Sequence, residues 1–499
     1  MMRLKELAAA VEGASLAAQA DPALTGLAYD SRAVRPGFLF VAVPGERFDG
    51  HDFLPHVVEA GAAAVVLQAD RADRFAHLPV PKLVVPDARK ALAPLACRFY
   101  ENPTHTLYLA GVTGTNGKTT TTRMIDAIAR ASGDTTGVIG TLGATVAGRD
   151  LPGERTTPEA PDLQALFVQM RQAGVTSASM EVASHALALG RTDGCAFDVG
   201  VFTNLTQDHL DFHGTMDAYR QAKARLFTDY ADAARAAGKT FTAVLNADDP
   251  AGRAFAEAAR GNVLRYSVAG QHAAEIVASD VQAGVAEIRF TARTPVGVVA
   301  VELPFGGAFN VANALAAVGY GVARGLSPEI IGAGLSACPP VPGRFQPVRA
   351  GQDFAVLVDY AHTPDGLDNV LRSAREVTGG RLIVVFGCGG NRDRTKRPIM
   401  GSIALRLADV AIATSDNPRR EEPEAIINEI LAGMNDPAPP GEADRRKAIA
   451  LAVCEARSGD TVVIAGKGHE DYQIVGDVKH PFDDVQVARE EIARCCAAR

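Results

Sequence analysis

The sequence predicts an α/β protein of three domains, with mostly parallel sheets. Its 499 residues exceed the size of one ordinary hydrophobic core, and chain length suggests about three domains. From residue 106 onwards, apolar runs of strand length alternate with helix-like segments, which is typical of parallel strands covered by helices on both faces. The segment 338–343, Cys-Pro-Pro-Val-Pro-Gly, is the strongest linker signal in the chain. We therefore expect domains at residues 1–103, 104–339 and 340–499.

The composition is that of a globular protein. Charged residues make up 22% of the chain and hydrophobic residues 47%, and no apolar run is long enough to cross a bilayer, so we expect no membrane association. The net charge of −8 argues against nucleic acid as a partner, because binding to its backbone depends on a cationic surface. The N-terminal residues are not typical of a secretory signal. The seven cysteines show neither CxxC nor metal-ligand spacing, and we interpret them as reduced thiols of a cytoplasmic protein.

The first domain is predicted to be a small α/β module that ends near Pro103. Its elements are a strand at 38–43, a helix at 54–60, a strand at 63–67 and a helix at 88–99. Ser31 and His51 lie beside turns. Residues in such positions bind ligands in some proteins and cap helices in others, so the pattern leaves both roles open.

A glycine-rich segment at 111–120, Gly-Val-Thr-Gly-Thr-Asn-Gly-Lys-Thr-Thr, follows an apolar run and precedes a helix-like stretch. Glycines let backbone N–H groups form an anion cradle at a helix N-terminus, where Lys118 reaches the outer phosphates and Thr119 ligates Mg²⁺. The segment therefore predicts a nucleoside-triphosphate site. It differs from the usual P-loop, because Val112 occupies the position of the first glycine, which lies one residue earlier at Gly111. The alternative is a glycine-rich turn that contains a lysine by chance.

Polar side chains follow the predicted strands of the same sheet, which lie at 106–112, 177–182, 198–203 and 241–245. Ligands of such sheets bind at the carboxyl ends of strands, so we expect Glu181 and His209 near the triphosphate. A carboxylate, an imidazole and phosphate oxygens suit Mg²⁺, although histidine is an uncommon ligand for it; alternatively, both residues cap helices. Lys223 lies in an amphipathic helix, and this pattern by itself indicates a solvated lysine. Further on, the alternating runs 285–292 and 296–303 predict a β-hairpin.

The third domain repeats the alternation of strands and helices. Its predicted strands are 354–360, 381–386, 409–414 and 461–465, and its helices are 365–377, 398–407 and 423–431. A basic loop contains Arg392, Arg394, Lys396 and Arg397. These side chains could bind carboxylate or phosphate in bidentate fashion, or they form an exposed charged turn.

The motifs occur in the order found in the Mur ligase family, which the chain resembles over nearly its whole length. The matching motifs are Gly114-Thr115-Asn116-Gly117-Lys118-Thr119, Glu181 with Ser184-His185, Thr203-Asn204-Leu205 with Asp208-His209-Leu210-Asp211-Phe212-His213-Gly214, Asp359-Tyr360-Ala361-His362-Thr363-Pro364 and Asp416-Asn417-Pro418-Arg419. The resemblance implies an N-terminal UDP-binding domain, a central P-loop ATPase domain and a C-terminal Rossmann-like domain that binds an amino acid. The displaced first glycine belongs to the family's own pattern.

The resemblance also implies roles for individual residues. The implied catalytic residues are Lys118, Lys223, His209 and Glu181, and the implied Mg²⁺ ligands are Thr119, Glu181, His209 and a carbamylated Lys223. The implied ATP contacts are Gly114, Thr115, Asn116, Gly117, Lys118, Thr119, Thr120, Asn310 and Arg344. A UDP-muramoyl-dipeptide would contact Ser31, His51, Thr156, Thr157, Ser184 and Arg191. Diaminopimelate would contact Arg392, Asp416, Asn417, Pro418, Arg419, Gly466 and Glu470.

Within the family, the chain is most similar to members that use ATP and Mg²⁺ to add meso-diaminopimelate to UDP-N-acetylmuramoyl-L-alanyl-D-glutamate in peptidoglycan precursor synthesis. Arg419 resembles the diaminopimelate-specific form, because a guanidinium pairs with the second carboxylate of that amino acid, which lysine lacks. The alternatives are a lysine-adding ligase, a folylpolyglutamate synthase, which the Asp30-Ser31-Arg32 module does not fit, and a non-catalytic nucleotide-binding regulator. We expect a monomer.

Overall fold

The computed structural model describes residues 2–16, 20–45, 48–153, 155–434 and 441–497. The chain forms two compact units, the first comprising Met1–Tyr266 with Gly319–Arg324 and the second Ser267–Val318 with Gly325–Arg499. Both units contain helices and mostly parallel sheets, and the second unit also contains an antiparallel segment. The predicted α/β class is therefore confirmed. The three predicted domain boundaries stay predictions, because the two units divide the chain at other residues.

The first unit begins with a five-stranded sheet. The strands of this region are β1 (Met2–Arg3), β2 (Ser15–Leu16), β3 (Ala23–Leu24), β4 (Gly26–Ala28), β5 (Phe38–Val41), β6 (Ala64–Gln68) and β7 (Lys82–Val85), and the helices are α1 (Leu4–Ala8), α2 (Leu54–Glu59) and α3 (Ala88–Phe99). The sheet order is β2-β7-β6-β5-β4, and only β2 is antiparallel to its neighbour. Alternate side chains of β5 enter opposite cores, Leu39 and Val41 on one face and Phe40 on the other, as the two-residue period of a strand requires.

The same unit continues with the larger sheet that carries the glycine-rich loop. Its strands are β8 (Tyr108–Thr113), β9 (Thr136–Gly140), β10 (Gly143–Val146), β11 (Arg149–Leu151), β12 (Ser177–Glu181), β13 (Val199–Phe202), β14 (Thr242–Asn246) and β15 (Asn262–Ser267). Its helices are α4 (Lys118–Ala131), α5 (Ala160–Gln172), α6 (Ser184–Ala188), α7 (Leu210–His213), α8 (Met216–Ala224), α9 (Asp229–Ala236) and α10 (Pro250–Ala258). The spatial order is β11-β10-β9-β12-β8-β13-β14-β15. In this order, neighbouring strands in the stretch β9-β12-β8-β13-β14-β15 are all parallel. The four strands predicted from the sequence are confirmed.

The second unit contains an antiparallel meander of β16 (Ile276–Ala283), β17 (Ile288–Thr294) and β18 (Gly297–Leu303). The predicted hairpin is therefore confirmed as β17 and β18, and Gly297 supplies the positive φ of +128° at its turn. The helices α11 (Phe309–Ala323) and α12 (Pro328–Ser336) follow.

The C-terminal part of this unit is a five-stranded sheet with helices on both faces. Its strands are β19 (Gln346–Pro347), β20 (Ala355–Asp359), β21 (Leu382–Cys388), β22 (Val410–Ser415) and β23 (Thr461–Ala465), followed by the separate hairpin β24 (Tyr472–Val475) and β25 (Val478–Pro481). Its helices are α13 (Pro364–Val377), α14 (Lys396–Leu407), α15 (Pro423–Leu431), α16 (Arg445–Glu455) and α17 (Asp484–Ala497). The order is β19-β20-β23-β21-β22, with only β19 antiparallel. Val384 and Phe386 face one core and Ile383 and Val385 the other.

Two cysteines depart from the prediction of reduced thiols. Cys454 in α16 and Cys495 in α17 form a disulfide, with Cα atoms 5.4 Å apart. The sequence spacing of 41 residues gives no hint of this pair, because the packing of two helices brings the thiols together. The other five cysteines, all among the described residues, are not joined by disulfides. Among the described residues, no helix is long and apolar enough to cross a membrane.

Candidate active site

The glycine-rich loop joins β8 to α4, as predicted from the sequence. Gly117 is the N-cap residue of α4, with φ of +85° and no side chain to cap the helix, and the N-terminus of a helix is a favourable place for an anion. Gly114 has φ of +155°, and a Cβ atom there would lie 1.9 Å from Oγ1 of Thr203. The loop conformation therefore requires glycine at both positions.

The segment after β13 holds this loop in place. Oγ1 of Thr203 donates to the carbonyl of Asn116 at 2.6 Å, and Oδ1 of Asn204 accepts from the amide of Asn116 at 2.9 Å. The amide of Thr115 donates to the carbonyl of Asn204 at 2.8 Å. The sequence analysis includes Thr203 and Asn204 in a family motif at the end of a strand but assigns neither residue an individual contact. The structure shows that both hold the glycine-rich loop.

Two lysine ammonium groups converge on the carbonyl groups of the loop. Nζ of Lys118 donates to the carbonyls of Gly114 and Thr115, at 3.0 and 2.8 Å, and Nζ of Lys223 donates to the carbonyl of Gly114 at 2.8 Å. Lys223 is only 1% exposed and lies 4.5 Å from the centre of the Tyr219 ring. Burial, and then the charge of Lys118, hold the pKa of Lys223 well below its usual value. The solvated lysine that the helix pattern indicates is therefore wrong.

His209 lies beside these two lysines. It precedes α7 with φ of +53°, an uncommon conformation for a residue other than glycine, and its side chain is 44% exposed. Burial lowers the pKa of His209 against the opposing charge of Asp208, and the charges of Lys118 and Lys223 lower it further. The ring of Tyr219 lies between His209 and Lys223, with its centre 6.1 Å from that of the His209 ring and 4.5 Å from Nζ of Lys223.

Glu181 ends β12 and is 1% exposed. Its Oε1 accepts from the amide of Thr141 at 2.8 Å, and its Oε2 accepts from Oγ1 of Thr141 at 3.2 Å. Within the described residues, no three His, Cys, Asp or Glu side chains form a metal cage. Mg²⁺ does not require such a cage, because proteins usually hold it through one or two carboxylates together with nucleotide phosphates. Glu181, His209 and the Thr119 hydroxyl stay predicted ligands for it.

Four of the six residues predicted for the UDP-muramoyl-dipeptide lie around the end of β12. Oγ1 of Thr157 donates to the carbonyl of Glu181 at 2.8 Å, and Oγ1 of Thr156 lies 3.1 Å from Oγ1 of Thr141. Nη1 of Arg191 donates to the carbonyl of Thr157 at 3.4 Å. Oγ of Ser184, at the start of α6, lies 3.0 Å from Nε2 of His213.

An arginine cluster adjoins these residues. Glu159 is 4% exposed and pairs with Arg89 at 2.8 Å, Arg191 at 2.9 Å and Arg155 at 3.5 Å. Three guanidinium groups around one carboxylate leave an excess of positive charge, which suits a diphosphate. A cavity of about 410 Å³ lies beside the cluster, with Tyr29, Arg155 and Glu159 in its lining. Arg89 and Arg155 were missed from sequence, since nothing local links them to Arg191.

His51 differs from the prediction that its side chain contacts a ligand. The ring is fully buried, with Nδ1 2.7 Å from Oδ1 of Asp49 and Nε2 accepting from the amide of Gln68 at 3.1 Å. Both ring nitrogens are therefore used to hold the loop before α2. Ser31 opens a short 3₁₀ helix, Ser31–Ala33, and stays a candidate.

The residues predicted for diaminopimelate lie together at the carboxyl ends of β21, β22 and β23. Nδ2 of Asn417 donates to Oε2 of Glu470 at 2.8 Å, and a Cβ atom at Gly466 would lie 3.0 Å from Oδ2 of Asp416. Nη1 of Arg419 donates to the carbonyl of Gly390 at 3.0 Å. A Cβ atom at Gly389 would meet both Arg419 and Arg392, which places these two arginines side by side.

The hairpin of β24 and β25 fixes the segment 416–419, and the sequence did not predict it. Gln473 donates to the carbonyl of Asp416 at 2.7 Å, and the amide of Ile474 donates to Oδ1 of Asn417 at 2.8 Å. The amide of Arg419 donates to the carbonyl of Ile474 at 3.0 Å. These contacts hold Arg419 at φ of +53°.

Most of the basic side chains in the loop 392–397 contact other parts of the protein. The interpretation that the loop as a whole binds carboxylate or phosphate is therefore wrong. Arg397 is fully buried and pairs with Glu421 and Glu429, each at 2.9 Å. Arg394 also pairs with Glu429, and Nζ of Lys396 donates to the carbonyl of His362 at 2.7 Å. Among the described residues, only Arg392 of the four is exposed without an ion pair.

The two remaining residues predicted for ATP lie in the second unit. Nδ2 of Asn310 donates to the carbonyl of Gly306 at 2.7 Å, and its Oδ1 accepts from Asn313 at 2.8 Å. The Arg344 guanidinium stacks 4.9 Å from the centre of the Tyr360 ring. The side-chain amide of Asn310 thus anchors the start of α11.

Comparison with known proteins agrees with this geometry. Models described as "Mur ligase family, catalytic domain", "Mur ligase middle domain" and "Mur ligase, glutamate ligase domain" match residues 23–100, 112–321 and 343–468. A UDP-N-acetylmuramoyl-L-alanyl-D-glutamate–2,6-diaminopimelate ligase of Geobacillus thermodenitrificans is 46% identical, with 98% of this chain and 99% of that protein covered. The enzyme of that name from Gloeobacter violaceus is 49% identical, with 99% and 98% covered. A solved structure of a ligase of that name has a TM-score of 0.68 and 35% identity, and the match covers 94% of this chain and 95% of that one. The chain belongs to the Mur ligase family.

Proposed function

We propose that this protein is an ATP-dependent ligase that joins meso-diaminopimelate to the D-glutamate γ-carboxylate of UDP-N-acetylmuramoyl-L-alanyl-D-glutamate, in peptidoglycan precursor synthesis. The observation that carries the proposal is the 46–49% identity, over nearly the whole chain, to relatives named for this reaction. The residues grouped at the ends of the strands in both units support it.

The glycine-rich loop is assigned to ATP. The amides at the start of α4 and the ammonium group of Lys118 would bind the phosphates of ATP. Lys118 would then exchange its present hydrogen bonds to the carbonyls of Gly114 and Thr115 for contacts with the phosphates. Mg²⁺ would be held by Thr119, Glu181 and His209, and it would neutralise charge on the transferred phosphoryl group. Asn310 and Arg344 are proposed as further nucleotide contacts.

Lys223 is proposed to be carbamylated. Carbamylation requires a neutral amine, and burial beside Lys118 lowers the pKa of this one. The added carboxylate would convert a buried cation into an anionic oxygen ligand for a second Mg²⁺. Carbamylation would remove a buried ammonium group whose hydrogen bond and ring contact, to the carbonyl of Gly114 and to Tyr219, carry no opposite charge.

The UDP-linked dipeptide is assigned to Ser31, Thr156, Thr157, Ser184 and Arg191, with Arg89 and Arg155 added from the cluster around Glu159. The γ-carboxylate attacks the terminal phosphorus of ATP, which gives an acyl phosphate and ADP. The amine of the amino acid then attacks the acyl carbon, and phosphate leaves. The residues bind, orient and neutralise charge, and no covalent bond to the protein is needed.

Diaminopimelate is assigned to the cluster at the ends of β21, β22 and β23. Arg419 and Arg392 would bind the distal carboxylate, while Asp416, Asn417 and Glu470 would bind the distal ammonium. Lysine has no distal carboxylate, so both arginines would lose their partner. We place the protein in the cytoplasm, where ATP is available, and expect it to act as a monomer.

The test is mass spectrometry of the products formed from the UDP-linked dipeptide, ATP and either diaminopimelate or lysine. We expect a mass increase of one diaminopimelate residue together with ADP. Addition of lysine at a comparable rate would contradict the assigned specificity. Nucleotide binding without ADP release would instead indicate a non-catalytic regulator.

A further inference from the structure

Lys467 is a charged side chain to which the proposed function gives no role. It follows β23 and is fully buried. Its Nζ lies 3.3 Å from Oδ1 of Asn417, 3.3 Å from Oε2 of Glu470 and 3.8 Å from Oδ1 of Asp416. Burial of an ammonium group is unfavourable unless opposite charges and hydrogen bonds compensate it, and these three groups do so.

All three partners of Lys467 are residues assigned to the distal ammonium of the amino acid. Oε2 of Glu470 accepts from both Asn417 and Lys467, whereas its Oε1 accepts no hydrogen bond from the described residues. Oδ1 of Asp416 is buried and also has no hydrogen bond within the described part of the chain. Lys467 therefore fixes one side of the pocket and leaves Oε1 of Glu470 and the carboxylate of Asp416 for a ligand.

The groups assigned to the distal ammonium, together with Lys467, carry one net negative charge, counted separately from Arg419 and Arg392, which are assigned to the distal carboxylate. Arg445 and Asp484 are fully buried and form a neutral pair, with Nε to Oδ1 at 2.8 Å and Nη2 to Oδ2 at 2.7 Å. On the ammonium side of the pocket the remaining charges are two carboxylates, Asp416 and Glu470, and one ammonium, Lys467. Their sum is one negative charge, which a single ligand ammonium neutralises. Without Lys467 this side would hold two negative charges, of which Asp416 is buried and Glu470 is partly buried.

The geometry points to Lys467 as a positioning residue that sets the ammonium side of the pocket to one net negative charge and orients Asp416, Asn417 and Glu470 toward one ammonium group of the amino acid. The inference rests on the proposed function and adds to it a determinant of amino-acid binding. Lys467 acts through its three partners, and the substrate contacts those partners.

The test compares steady-state kinetics of the full-length wild-type protein and Lys467→Met, which keeps the length of the side chain and removes its charge. We expect the KM for diaminopimelate to rise roughly 10- to 100-fold, as for loss of a hydrogen bond to a charged group. The KM values for ATP and for the UDP-linked dipeptide should stay within about twofold, because those sites lie elsewhere in the chain. Lys447→Met is the matched control, since Lys447 is 70% exposed on α16 and lies outside the pocket.

A double-mutant cycle with Glu470→Gln separates charge from packing. If Lys467 acts by neutralising Glu470, then Lys467→Met should change the KM for diaminopimelate by less than about threefold in the Glu470→Gln background. An equal effect in both backgrounds would overturn the inference, as would a wild-type KM in Lys467→Met. If Lys467→Met does not fold, the comparison of Glu470→Gln with the double variant decides alone.

The two proposals can fail separately. If the wild-type protein forms no diaminopimelate product, the proposed function fails and this inference fails with it. If the wild-type protein is active and Lys467→Met has an unchanged KM for diaminopimelate, only this inference is overturned.

Discussion

The buried pair of Arg445 and Asp484 predicts a large local effect of the isosteric substitution Asp484→Asn. Both side chains are 0% exposed, and Asp484 accepts two hydrogen bonds from the guanidinium. The guanidinium also donates to the carbonyl of Ser415 at 3.3 Å and to the carbonyl of Ala465 at 3.1 Å, which are the last residues of β22 and β23. Asn at position 484 would keep the shape of the site and remove the counter-charge that is hydrogen-bonded to the guanidinium.

The loss of one partner from a buried ion pair destabilises a protein by about 3–5 kcal/mol, because the other charge stays buried without compensation. The matched control is Asp477→Asn. Asp477 and Arg420 form a pair of the same type at 2.7 Å, but their side chains are 74% and 71% exposed. Solvent screens such a pair, so we expect no measurable effect of this control substitution.

The assay is hydrogen exchange followed by mass spectrometry of the peptides that contain β22 and β23. Local opening is the appropriate quantity, because a protein with several cores need not unfold in one step. Asp484→Asn should lower the free energy of opening of both strands by about 3–5 kcal/mol. The double variant Arg445→Met, Asp484→Leu should recover most of that loss. Protection factors equal to those of Asp477→Asn would show that the buried pair does not stabilise these strands.

Three further predictions concern other parts of the chain. Lys118→Ala should abolish ADP release in a coupled assay while circular dichroism stays unchanged, because the loop loses the cation assigned to the phosphates; retained ligation would contradict the site. Burial, together with the neighbouring charges of His209 and His213, lowers the pKa of His185 to about 4. The unfolded chain therefore binds more protons between that value and the usual pKa of about 6.5, so stability falls as the pH falls through this range. His185→Gln should reduce the difference in melting temperature between pH 7 and pH 5, and an unchanged difference would contradict this assignment. Cys454→Ser should lower the melting temperature, because closing a 41-residue segment stabilises by about 4 kcal/mol in the loop-entropy model, whereas Cys496→Ser, at an exposed free thiol, should not.

Regular elements were predictable because their signals are local. The buried strands β8, β12, β13 and β14 are short apolar runs bounded by turn residues, and each was placed within about two residues. The glycine-rich loop was predictable for the same reason, because glycines and a lysine at this spacing between a strand and a helix are typical of a phosphate-binding turn. The segment 416–419 was found through its resemblance to a family motif.

Features that depend on contacts between distant segments were not predictable from local patterns. Lys223 lies on an amphipathic helix and looks solvated, but α8 packs it against the carbonyl of Gly114. Arg397 lies in a basic loop, yet two glutamates from elsewhere in the domain bury its charge. The disulfide of Cys454 depends likewise on the packing of two helices. Burial of a charge is decided by its partners in space, and a single sequence does not show them.

Transfer of ¹⁸O from the substrate to phosphate is the most direct test of carboxylate activation by ATP. A UDP-linked dipeptide labelled with ¹⁸O in the γ-carboxylate of D-glutamate is incubated with the protein, ATP and diaminopimelate, and the released phosphate is analysed by mass spectrometry. We predict one ¹⁸O atom in the phosphate for each amide bond formed, because the carboxylate oxygen attacks phosphorus and leaves with it. Phosphate without ¹⁸O, or phosphate released without an amide product, would contradict activation of the carboxylate by ATP.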